Sequence, residues 1–128
     1  MSRLALADLV ARRSNLELLL RELDEEPAQR GAVHLELGVL AKLLDGLEGI
    51  GGAFEHLRAA LRLLPPDASA ARQRALFVLG LTHGDVSEPA LAVERFEEVN
   101  ALDQSSQAGS AARAYANTYR EHFKLDPR

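Results

Sequence analysis

Apolar residues recur along this chain at steps of three and four, and no useful stretch alternates apolar and polar with period two. That is the spacing of one face of an α-helix, so the expected fold class is all-α, without strands. Six helices are predicted. In the first, Leu6, Leu9, Val10, Leu16, Leu20 and Leu23 share a stripe, with Ser2 placed to cap its start. Ser14-Asn15-Leu16-Glu17 fits a capping box that would divide this segment into two short helices. The stripe keeps its phase across that point, which favours one helix. The acidic run 24–26 ends it, and acidic residues before Pro27 suit the first turn of the next.

The second helix is expected over 27–44 or 27–45, burying Val33, Leu37, Leu40, Ala41 and Leu44. Gly46, Gly49, Gly51 and Gly52 mark a turn, because glycine is costly inside a helix. A third helix over 53–64 buries Phe54, Leu57, Leu61 and Leu64 before Pro65-Pro66 stops it. Asp67 or Ser69 is placed to cap a fourth helix that runs to His83, with Gly84 to end it. Ser87 is the expected cap of a fifth, with Pro89 in its first turn and Leu91, Ala92, Val93, Phe96 and Val99 on its apolar side. After a polar link over 103–106, a sixth helix takes 107–124, and Pro127 closes the chain.

The second and third helices repeat as the fourth and fifth. Leu37, Leu40-Ala41 and Leu44, then Ala53, Leu57 and Ala60, match Leu76, Leu79-Gly80 and His83, then Ala92, Phe96 and Val99, at an offset of 39 residues. This layout resembles the tetratricopeptide repeat, in which a bulky residue and an apolar–small pair precede an alanine, an aromatic and often a proline. Small residues at 41, 53, 80 and 92 let two antiparallel helices approach, and Leu57 and Phe96 fill the space between pairs. The offset exceeds the family's repeat of about 34 residues, and the excess lies in Leu64-Pro65-Pro66-Asp67-Ala68-Ser69-Ala70-Ala71. No tryptophan or tyrosine occupies the bulky positions, and His83 stands where an aromatic is expected. The resemblance implies a single short α-solenoid: an N-terminal helix over 1–26, a first repeat over 27–66, a second over 67–104 and a capping helix over 105–128. Ala108, Ala111, Ala112, Tyr115 and Tyr119 supply the inner stripe of that last helix. Fewer than three repeats need caps or self-association to cover their ends.

Composition narrows the function. A chain of 128 residues suits one domain, and 47% hydrophobic with 27% charged residues is ordinary for a globular one. Net charge is −4 with the signs interspersed, so no clustered basic face for nucleic acid is expected. The absence of cysteine removes disulfides, thiolate metal sites and cysteine nucleophiles. No apolar run approaches the length of about 20 residues that crosses a bilayer, and the first ten residues lack the form of a signal peptide. A cytoplasmic protein that neither enters a membrane nor binds nucleic acid is the expectation.

Chemistry is sparse. His34, His56, His83 and His122 show no metal-ligand spacing, and His83 reads as a helix-end residue packed beside a turn, with a ligand or base role as the alternative. Glu94, Glu97 and Glu98 read as a solvated helix face, and the glycines of 46–52 follow no strand, so they make a poor phosphate loop. No enzyme, cofactor or metal is expected. What remains is a surface for another protein or peptide. In the family it resembles, the first helix of each repeat lines a concave groove, which here implies Leu35, Lys42 and Asp45, then Arg74, Phe77 and Leu81, continued by Tyr119 and Arg120. The fourth helix, apolar all round, is either buried core or the contact surface itself. A homodimer seam along the first or fourth helix is the alternative to a separate ligand.

Overall fold

In the computed structural model, which describes residues 3–23 and 26–125, the protein is all-helical with no strand among those residues. Six α-helices follow in order: α1 (Arg3–Glu22), α2 (Pro27–Asp45), α3 (Ile50–Leu63), α4 (Ser69–Asp85), α5 (Pro89–Leu102) and α6 (Gln107–Phe123). A short 3-10 turn, Gly46–Gly49, joins α2 to α3. Ser2, Asp24, Glu25 and Pro127, to which start or stop roles were assigned above, lie outside the described residues. The chain divides into two compact units, Met1–Pro65 and Pro66–Arg128.

The first unit is an α2–α3 hairpin with α1 along α2. α1 runs unbroken through Ser14, as the continuous stripe requires. Leu16 joins Val33, Leu37 and Leu40 in a buried aliphatic cluster, with Leu9, Leu20, Leu23 and Leu44 packed against it. Leu6 and Val10, expected on the same stripe, are exposed instead. At three and four residues per step the stripe drifts around a straight helix, so Leu6 and Val10 fall off the face, Leu9 to Leu23, that packs on α2. Arg30 of α2 donates to the Leu20 carbonyl at 3.0 Å, satisfying an acceptor in the last turn of α1.

Within the hairpin, α2 and α3 touch through glycine. A Cβ on Gly38 would lie 2.8 Å from Leu57 Cγ, and one on Gly31 would lie 3.0 Å from Leu64 Cγ. The turn expected over 46–52 is shorter than its glycines suggest. Gly51 and Gly52 lie in the first turn of α3, exposed and touching nothing, while Gly46 alone has a positive φ, 57°. Packing of Ala53, Leu57 and Ala60 onto α2 carries the helix back through residues whose propensity opposes it.

The second unit is a three-helix array in which α5 packs on both α4 and α6. α4 continues through Gly84 to Asp85, so that glycine does not end it. Its C-terminal turn is closed by Val86 and Glu88 N–H groups donating to the His83 carbonyl at 3.2 and 2.9 Å. In the link to α5, Ser87 has positive φ, 60°, and the N-cap of α5 is Glu88 rather than Ser87. Neither Asp67 nor Ser69 caps α4. Ala68 holds that place, and the Ser69 N–H donates to the Asp67 carbonyl at 2.9 Å. Leu91, expected on the apolar side of α5, is exposed. α6 starts on a true side-chain cap: Ser106 Oγ accepts from the Gly109 N–H at 2.9 Å.

In this unit Leu76 and Leu79 share the core with a ring, Phe96, around which other rings gather. Phe96, fully buried, lies 5.4 Å from both Phe77 and Tyr115 and 5.6 Å from Tyr119, and Tyr119 lies 5.7 Å from Phe123. These centroid separations and tilted or edge-on angles are those favoured by ring quadrupoles. Gly80 admits Phe96, since a Cβ there would lie 2.7 Å from its ring. Gly84 admits the Tyr119 hydroxyl in the same way. Gln73, only 3% exposed, donates to the Val99 and Asp103 carbonyls at 2.9 and 3.1 Å, covering acceptors at the C-terminal end of α5.

Candidate functional site

One face of α4 carries Ala70, Arg74, Phe77 and Val78, spaced four, three and one apart. Opposite them, α6 offers Ala108 and Ala111, whose methyl groups leave space where longer side chains would fill it. Between the two helices lies an open groove of about 450 Å³, within the range of small ligand sites. Its walls are mainly apolar. Phe77 is half-buried because its ring packs edge-on against Tyr115 at 5.3 Å, so one side supports the core and the remainder faces the groove. Arg74 is exposed at the wall, and it and Gln107 are the polar side chains of a site otherwise lined by carbon.

A second hollow, of about 570 Å³, opens between α5 and α6 and is polar. Arg120 lies there, in contact with Glu97 and donating to Asn117 Oδ1 at 3.3 Å. Its charge is spent inside the fold rather than offered to the apolar groove. Arg113 and Asn100 share this hollow, and Asn100 donates to the Gly109 carbonyl at 3.1 Å.

Of the residues expected to form one partner surface, Arg74 and Phe77 line the apolar groove together. Leu81, one turn on, is half-buried and does not line it. Tyr119 is half-buried in the ring cluster; burial first, then the negative charges of Asp85 and ionised Tyr115, raises its pKa above the usual 10. Arg120 faces the other hollow. Leu35, Lys42 and Asp45 belong to the first unit. Leu35 is 5% exposed and is a core side chain rather than a groove wall. Lys42 is half-buried, and Asp45 is engaged by Arg13 at 2.7 and 2.8 Å.

The fourth helix, left open between core and surface, is divided between them. Ala75, Leu76, Leu79 and Gly80 are buried, while Phe77, Val78 and Leu81 are half-buried. His83 is buried at the helix end with Nδ1 3.0 Å from Glu88 Oε1, packed beside the turn as its position predicts. Ala108 and Ala111 were legible only as an inner stripe; nothing in their spacing says that they border space. Among the described residues, no three His, Asp or Glu side chains converge to hold a metal ion. No described helix is long and apolar enough to cross a membrane.

With this geometry in hand, comparison with known proteins adds no family: no protein-family model matches the chain, and no curated protein or solved structure matches it either.

Proposed function

We propose that this protein is a non-enzymatic adaptor, a divergent tetratricopeptide-like helical array whose α4–α6 groove receives a short apolar segment of another protein. The observation that carries the reading is the groove's construction: a half-exposed Phe77 facing the alanine methyls of α6, with Arg74 beside it. Burying two or three apolar side chains there stabilises a complex by roughly 1.5–3 kcal/mol each before the costs of association. Arg74 orients the segment by pairing with a carboxylate on it. The reading requires no cofactor, and a chain without cysteine suits the cytoplasm.

Phe77→Asp is a poor probe because Phe77 also supports Phe96 and Tyr115. Ala111→Arg fills the groove from a half-exposed helical position and leaves the ring cluster intact. A partner captured by affinity purification from the native host is expected to be lost with Ala111→Arg and kept with Arg113→Ala, both variants retaining wild-type circular dichroism. Equal capture by both would reject the groove.

A second reading, self-association without a separate ligand, has its own support. Leu43 and Leu47, near the junction of α2 and the 3-10 turn, are 57% and 67% exposed. Light scattering decides it: a strict monomer at high concentration sinks the homodimer.

A further inference from the structure

The first unit holds a histidine pair that no linear spacing announces. His34 on α2 and His56 on α3 are 22 positions apart, yet their Nδ1 atoms lie 2.9 Å apart and their ring centroids 5.2 Å. Both rings are half-buried. We propose that this pair is an acid-sensitive clasp across the α2–α3 hairpin, closed while a single hydrogen bridges the two Nδ1 atoms and released when both rings are charged.

The chemistry of the bridge allows one hydrogen and no more. In the neutral pair one imidazole donates Nδ1–H and the other accepts through its Nδ1 lone pair. One added proton leaves that bond in place and makes it charge-assisted. A second puts N–H groups on both Nδ1 atoms, so the acceptor disappears and two cations face one another at hydrogen-bond distance. The surroundings assign the roles. Arg30 of α2 and Arg62 of α3 act on His34, whereas Glu17 of α1 and Glu55 of α3 act on His56. The first proton therefore settles on His56, which donates, and His34 accepts.

Burial is the main cause that holds both imidazoles below the ordinary value of 6.5; for His34 the charges of His56, Arg30 and Arg62 add to it, while Glu55 and Glu17 oppose it at His56. The sign follows. Well above pH 6.5 the rings are neutral in folded and unfolded chains alike, and the hairpin keeps its full stability. Below 6.5 the unfolded chain takes up protons that the folded pair refuses, and stability is lost as the pH falls towards the folded values.

The test is urea unfolding of the whole chain at about pH 7.5, 6.5 and 5.5, wild type against the His34→Gln, His56→Gln double variant. Each proton excluded by the folded state is expected to raise the unfolding constant by up to about tenfold per pH unit below 6.5. The double variant is expected to lose that part of the slope whatever its stability at neutral pH. An identical slope in both proteins overturns the clasp. Should the variant fail to fold, nitrogen-15 NMR of the wild-type imidazoles reads the pair directly. Rings of His34 and His56 that both become charged at or above pH 6.5 overturn it, and a bridging proton that persists below 6.5 supports it.

Discussion

The two helical hairpins share one layout in sequence and reach close packing by different means. In the first, Gly38 and Gly31 let Leu57 and Leu64 seat against the α2 backbone, and the core beside them is aliphatic. In the second, Gly80 lets a phenyl ring seat against α4, and four further rings surround or extend it. At the repeat offset Leu57 matches Phe96, but Gly38 matches Phe77 and Gly80 matches Ala41. The glycine has moved one helical turn between copies, and the place it vacates in α4 is taken by a ring that packs on Phe96 from the side. A leucine is met by a notch directly beneath it, whereas a ring needs a flat floor one turn along and a neighbour at its edge. The difference shows that each hairpin brings its helices into close contact with its own distribution of large and small side chains.

The largest expected effect tests the ring cluster. Phe96→Ala should cost about 3–5 kcal/mol, because its cavity opens among rings that all rest on it. Urea unfolding gives the cost, and hydrogen exchange should show α4–α6 deprotected first. Leu57→Ala should cost about 2–5 kcal/mol and deprotect α2 and α3. The contrast between units fails if both variants deprotect the same helices.

Next come the notches. Gly80→Ala and Gly38→Ala should each destabilise by about 1–3 kcal/mol, since the new methyl overlaps Phe96 in one and Leu57 in the other. The paired variant Gly38→Ala, Leu57→Ala should recover part of the loss in the first unit, because the leucine is what the methyl meets. Thermal and urea denaturation check both. The smallest effect has the opposite sign. Gly51→Ala should stabilise by about 0.5–1 kcal/mol, because that glycine is helical, exposed and free of neighbours. A loss on Gly51→Ala would show that the start of α3 needs glycine for a reason other than the space around it.

Most of the helices were legible because apolar spacing of three and four is a local signal carried by many residues at once. Their ends were less so. Glycine and serine were read as punctuation, yet Gly84 continues a helix and Ser87 adopts positive φ without capping α5. Local preference at those positions is worth about 1 kcal/mol, and Phe96 and Tyr119 packing against α4 outweigh it. Arg74 and Phe77, expected on one helix face from their spacing, both line the α4–α6 groove. The place of Arg120 was not readable, because its partner Glu97 stands 23 positions away and only the packing of α6 on α5 brings them together. His34 and His56 escaped for the same reason.

By itself, then, the sequence determined an all-helical chain, its six helices to within a few residues, and the pairing of helices into two similar hairpins, since periodicity and repetition are properties of order along the chain. Tertiary structure alone decided which half of α4 is core and which is groove wall, which glycine receives which side chain, and which arginine is left at a surface. Those depend on distances between residues far apart in sequence, and a side chain's chemistry is set by the neighbours that packing assigns to it.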